Sequence, residues 1–167
     1  MAKRIDPDTL PERAGTFYPP PYDKPCRARY RRALGDAAGL GQFGINLTRL
    51  PPGGWSSQRH WHTKADEFVY VVEGELVLVT DAGEEMLKAG DCAGFPVGDG
   101  NGHHLQNRSG RDALYLEIGS RVAGDSALYP DIDLVFPPEG KPALYTHRDG
   151  TPYAGLKRRL PGDADET

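Results

Sequence analysis

The chain has 167 residues and a formal net charge of −4, with 20 Lys and Arg against 24 Asp and Glu. That balance argues against nucleic acid or an anionic membrane as a partner, and no apolar run approaches the roughly 20 residues of a membrane-spanning helix. The length suits one domain able to bury a core. Its 21 glycines and 15 prolines favour many short strands joined by tight turns.

Two cysteines, Cys26 and Cys92, make no disulfide framework. The stretch Met1 to Pro7 lacks the apolar core of a signal peptide. A cytoplasmic, reduced protein is expected.

Residues 1–40 read as an N-terminal arm, Pro-rich and aperiodic, anchored by the apolar run Thr16 to Tyr22. Within it, residues 26–37 predict a short helix over Arg27 to Leu34, stopped at Gly35. Its arginines suggest phosphate binding at first sight. A solvated helix face is the better reading beside an acidic remainder. The arm leaves no room for a helix-turn-helix module ahead of the strand-forming region.

Residues 41–121 read as strands: Phe43–Leu50, Ser56–His62, Glu67–Val72, Leu76–Thr80, Glu84–Leu87, His103–Arg108 and Ala113–Gly119. The joints carry turn chemistry, at Pro51 to Gly54, Glu73-Gly74-Glu75, Asp81-Ala82-Gly83, Gly90-Asp91 and Ser109 to Asp112. This spacing predicts an all-β fold, an antiparallel double-sheet barrel. Phe68–Val72 and Leu76–Val79 are apolar on both faces, whereas a strand between a cavity and solvent alternates. The outer face is therefore expected to be covered, by the second sheet, the arm, the tail or a second subunit. A homodimer in which the arms help cover the sheets is the favoured reading.

Residues 122–167 read as a C-terminal extension. Short extended segments at Leu128 to Phe136 and Leu144 to Tyr153 are expected to pack on the barrel, with residues 161–167 disordered.

The chemistry concentrates between Gly54 and Asn107. His60 and His62 sit two apart, so an extended strand points both to one side and Trp61 to the other. A turn through Thr63 to Asp66 returns Glu67 beside them, as a ligand or as a supporting carboxylate. Two imidazoles and a carboxylate suit a borderline metal such as Zn, Fe, Mn or Ni. A third imidazole comes from His103 or His104, which face opposite ways. Period two groups His103 with Leu105 and Asn107, which favours His103.

Ser56 and Gln58 share the histidine face and are candidates to touch a ligand. Tyr115, two before Glu117, is a candidate cavity wall or plain core. His147 reads as a surface or packing residue, and Cys92 as a buried structural thiol.

These residues resemble the two motifs of the cupin family. Gly54, His60, His62, Glu67 and Gly74 match the first. Gly90, Pro96, Gly98, His103 and Asn107 match the second, with four residues rather than two between Gly98 and His103. The resemblance implies a jelly-roll, or double-stranded β-helix, barrel. It also implies one divalent metal ion per chain, held by His60, His62, Glu67 and His103, and a small-molecule substrate or ligand.

Such a set fills four positions of an octahedron and leaves two adjacent sites open. That leaves two function classes. One is a metal-dependent enzyme (dioxygenase, isomerase, lyase or decarboxylase) acting on a small oxygen-rich molecule. The other is a non-catalytic small-molecule or sugar-binding cupin. A barrel of this kind hosts both.

Overall fold

Strand alternation builds the molecule, and it is clearest in the sheet that carries most of the chain. The computed structural model describes residues 2, 4–138 and 143–156. Six strands form this sheet: β1 (Arg13–Ala14), β2 (Tyr30–Ala33), β3 (Phe43–Leu50), β5 (Glu67–Glu73), β8 (Cys92–Phe95) and β10 (Ala113–Ser120). Their order is β1-β2-β3-β10-β5-β8, with every pairing antiparallel. Facing it is a three-stranded sheet, β7-β6-β9, made of β6 (Glu75–Thr80), β7 (Gly83–Lys88) and β9 (His104–Gln106). A small third sheet joins β4 (Trp61–His62) to β11 (Ala127–Leu128) and β12 (Val135–Phe136).

The core lies between the two larger sheets. Leu50, Val69, Val71, Ala113 and Tyr115 pack from the first against Leu76, Leu78, Leu87 and Leu105 from the second. Closing two apolar sheet faces on each other is the jelly-roll solution to burying them. The chain crosses from one sheet to the other at Gly74, between β5 and β6. Its φ is +81°, and a Cβ there would stand 2.9 Å from the Asp112 carbonyl oxygen. The joint expected at Glu73-Gly74-Glu75 is thus a corner between sheets.

The two ends of the chain share a second core. Tyr18 and Cys26 from the N-terminal side pack with Ala127, Tyr129, Leu134 and Tyr145 from the C-terminal side. Residues 161–167, expected to be disordered, lie outside the described residues.

Four local expectations need correction. The helix expected over Arg27–Leu34 is a strand, β2, followed by a helix of five residues, α1 (Leu34–Ala38), which ends on Gly39 with φ +74°. Pairing with β3 overrides the helical propensity of the arginines. The strand expected over Ser56–His62 is bent across residues 56–59 and extended only at Trp61–His62. Cys92, on the outer strand β8, is exposed, whereas Cys26 is buried. Finally, Cys92–Phe95 is itself a strand that the Gly-rich stretch from Gly90 to Gly98 hides from sequence reading.

Candidate metal centre

Two backbone hydrogen bonds set the centre. His103 N–H donates to the His60 carbonyl at 2.9 Å, and His60 N–H donates to the His103 carbonyl at 3.2 Å. This reciprocal pair locks the two motif segments side by side and puts their rings 5.1 Å apart, centre to centre. The loop lengthened by two residues folds over β4, where Gly98 N–H donates to the His62 carbonyl at 3.1 Å. Glu67 opens β5 and faces Phe95 across the β5–β8 pair. The Phe95 ring lies parallel to that of His103 with centroids 3.5 Å apart.

Three ring nitrogens converge on one oxygen. Nε2 of His60, His62 and His103 stand 3.6, 3.5 and 3.0 Å from Glu67 Oε2. Donor atoms of His60, His62 and Glu67 all lie within 4.8 Å of one another, and His103 joins that group through the carboxylate. His104 points elsewhere. Its Nδ1 meets the Ser57 carbonyl at 3.0 Å and its Nε2 meets the Gln106 amide at 2.9 Å.

Two of the three rings are oriented from behind, while His103 Nδ1 is buried without a partner. His60 Nδ1 donates to the Gln58 carbonyl at 3.0 Å, and His62 Nδ1 donates to Asp125 Oδ2 at 2.5 Å. Asp125 also accepts from the Lys64 N–H at 2.8 Å and the Thr63 hydroxyl at 3.3 Å. With both Nδ1 atoms protonated, the Nε2 lone pairs of His60 and His62 face the carboxylate oxygen. Acceptor facing acceptor is favourable only with a cation between them. The donor set therefore fits a divalent ion of the borderline class.

Protonation agrees. Burial pushes the His60 imidazole down to about 4, against the pull of Glu67, so the ring is neutral at pH 7. Burial alone would raise the Glu67 carboxyl. The His103 hydrogen bond and the neighbouring His60 and His62 rings outweigh it and hold the group near 2, ionised. Burial likewise takes His104 down to about 4.

His60, Glu67 and His103 line a cavity of about 180 Å³, with Phe95, Leu105 and Tyr115 also among its walls. Glu117 also lines it, accepting from Asn46 Nδ2 at 3.1 Å and Tyr115 OH at 3.4 Å.

Of the sequence candidates, His60, His62, Glu67 and His103 come together and Tyr115 is a cavity wall. Ser56 also lines the cavity, whereas Gln58 does not, because the bend breaks the alternation. Ser56 Oγ accepts from the Leu105 N–H at 2.8 Å, and Gln58 Nε2 donates to the Tyr22 carbonyl at 2.6 Å. His147 pairs with Asp133 at 2.7 Å in the C-terminal extension.

Asp125, Phe95 and Glu117 were not singled out from sequence. Glu117 follows the alternation of Tyr115 and was within reach of it. Asp125 sits in a turn 63 residues from His62, and no local pattern announces it.

A family model described as the cupin domain matches residues 46–119. A sugar phosphate isomerase of the cupin superfamily from Silicibacter pomeroyi is 42% identical, with 92% of this chain and 98% of that chain covered and a TM-score of 0.83. A putative sugar phosphate isomerase from Acidithiobacillus ferrooxidans is 32% identical over 65% of this chain and 69% of that one, at a TM-score of 0.62. A polyketide cyclase from Streptomyces resistomycificus shares the fold at 23% identity, 72% and 80% coverage and a TM-score of 0.57. No curated protein matches the chain. With nearly all of a 42%-identical cupin covered, and both histidine-bearing motifs in register on a jelly roll, the chain belongs to the cupin superfamily.

Proposed function

We propose that the protein is a metal-dependent isomerase of a small sugar phosphate, with one divalent ion held by His60, His62, Glu67 and His103. The observation that carries this reading is the convergence of three Nε2 atoms on Glu67 Oε2 beside a cavity. The 42%-identical relative supports the reaction class. Bound there, the ion supplies Lewis acidity toward a carbonyl or hydroxyl oxygen.

Aldose–ketose isomerisation moves a proton between adjacent carbons. Glu117 is the cavity carboxylate outside the donor group, and its position suits it to take and return that proton. Tyr115 and Asn46 hold it by hydrogen bonds. Phe95 and Leu105 give the same space an apolar wall. The cavity volume, about 180 Å³, is below the roughly 300–1,000 Å³ of sites for larger ligands, as a small substrate requires.

The test is elemental analysis of untagged protein followed by incubation with triose, tetrose and pentose phosphates in D₂O. One Mn, Fe, Ni or Zn per chain with deuterium entering the substrate is expected. His62→Ala should lose the metal, and Glu117→Gln should keep it while slowing exchange by about a hundredfold or more. Metal with no exchange on any substrate would leave the binding-protein reading in its place. A chain that neither holds nor takes up metal ends both.

The protein is also proposed to act as a homodimer. Phe68, Tyr70 and Val72 are 38%, 41% and 43% exposed on the outer face of β5. Among the described residues, no helix is long and apolar enough to cross a membrane.

A further inference from the structure

The arginines of the N-terminal arm do not form a solvated helix face. They lie on and just before β2, where period two sends Arg29 and Arg31 inward and Tyr30 and Arg32 outward. Both inward arginines line the cavity that holds the metal donors.

Arg29 is only 8% exposed. It donates to the Ser56 carbonyl and, at 3.4 Å, to that of Gly15. Its Nε is buried without a partner, and among the described residues no carboxylate stands within ion-pair distance. A guanidinium that deep, satisfied by carbonyls alone, is costly unless an anion joins it. Arg31 reaches Glu117 at 3.4 Å, a long contact for an ion pair. The two guanidinium charges are thus met by one carboxylate, which also serves Asn46 and Tyr115. With Glu67, the other cavity carboxylate, facing the three imidazoles, the surroundings of Glu117 carry an excess of one positive charge. Tyr18, also from the arm, lines the same space, and its hydroxyl accepts from Tyr129 at 3.3 Å, leaving its own hydrogen to donate.

We infer that Arg29 and Arg31 form an oxyanion subsite that grips the phosphate of the substrate while the metal donors face its reacting end. This rests on the function proposed above and deepens it: the arm selects for a phosphorylated substrate over a neutral sugar. Guanidinium groups are suited to this, since their planar forks match phosphate oxygens.

Titration with inorganic phosphate at low ionic strength tests it, by calorimetry on the protein as purified and again after chelation. Wild type should take up one phosphate per chain in both states, and acetate at least tenfold more weakly. Arg31→Gln should weaken phosphate uptake at least tenfold with unchanged metal content and an unchanged thermal midpoint. Arg29→Gln should do the same where it folds. Arg27→Gln, exposed on the same arm, should change nothing.

Equal phosphate affinity in Arg31→Gln and wild type overturns the subsite, as does the lack of saturable uptake by wild type. Acetate binding as tightly as phosphate overturns the choice of phosphate. Phosphate uptake by a wild-type chain that neither holds metal as purified nor takes it up when ions are added would sink the isomerase reading and leave the subsite standing.

Discussion

His62 shows how the centre is held at the scale of one residue. Its Nε2 points at Glu67 because its Nδ1 is tied to Asp125, a carboxylate with no place in either motif. Partners of this kind set the tautomer and aim the ring, and losing one typically costs 10–100-fold in metal affinity. Asp125→Asn should therefore weaken metal binding by about that factor while the fold persists, as chelator competition would measure. Unchanged affinity would mean that the turn holds the ring without the carboxylate.

A second prediction concerns protons. Burial holds His60 and His104 at about 4, below the ordinary imidazole value of 6.5. The unfolded chain therefore binds protons first as pH falls. The stability contributed by these neutral rings is whole above about 6.5 and is lost on the way down through about 4. In chelator-treated protein, unfolding free energy should drop by about 2–4 kcal/mol between pH 7.5 and pH 5. Urea titrations at the two values would show it, and coincident curves would mean that water reaches both rings in the metal-free protein.

At the scale of elements, the legible parts of the chain were those where one local pattern governs. Phe43–Leu50 alternates toward its partner β10 over its whole length and was visible as a strand. The fixed spacing of His60, His62 and Glu67 survives because β4 and the start of β5 are extended. Gln58 departs from the histidine face because the backbone bends between residues 56 and 59, and its side chain bonds to the Tyr22 carbonyl instead, while Ser56 keeps its place on the cavity wall. The arginines of β2 misled for a related reason. Helix propensity is a local preference, whereas this strand exists because β3 offers it an edge.

Gly74 carries the sharpest elemental prediction. A Val there would place Cβ 2.9 Å from the Asp112 carbonyl oxygen and 3.0 Å from Ala113 Cα, at a φ of +81°. Gly74→Val should cost about 3 kcal/mol or more, read from denaturant midpoints. A change below about 0.5 kcal/mol, the range of ordinary surface substitutions, would show that the corner yields.

At the scale of the whole molecule, the six-stranded sheet has one face too apolar for water. Across β3, β10 and β5 the register aligns Ile45, Ile118 and Phe68 in one row and Leu47, Leu116 and Tyr70 in the next. None of these six is among the buried core residues. The sequence pattern pointed to a covered face, and within a single chain Phe68 and Tyr70 stay exposed. Light scattering should return twice the mass of the chain, and Tyr70→Glu should return one. A wild-type protein of single-chain mass would remove the dimer.

The contacts that complete the cavity are far apart along the chain. Arg29 meets Ser56 across 27 residues, Glu67 meets His103 across 36, and His62 meets Asp125 across 63. Closing loops of that length comes late and slowly in folding, because entropy is lost before any contact repays it. The ion proposed for this centre would therefore be a poor seed for the fold, unlike the metal of a zinc finger. Its donors come together only where both ends of the chain have docked, so metal uptake during refolding would report that docking.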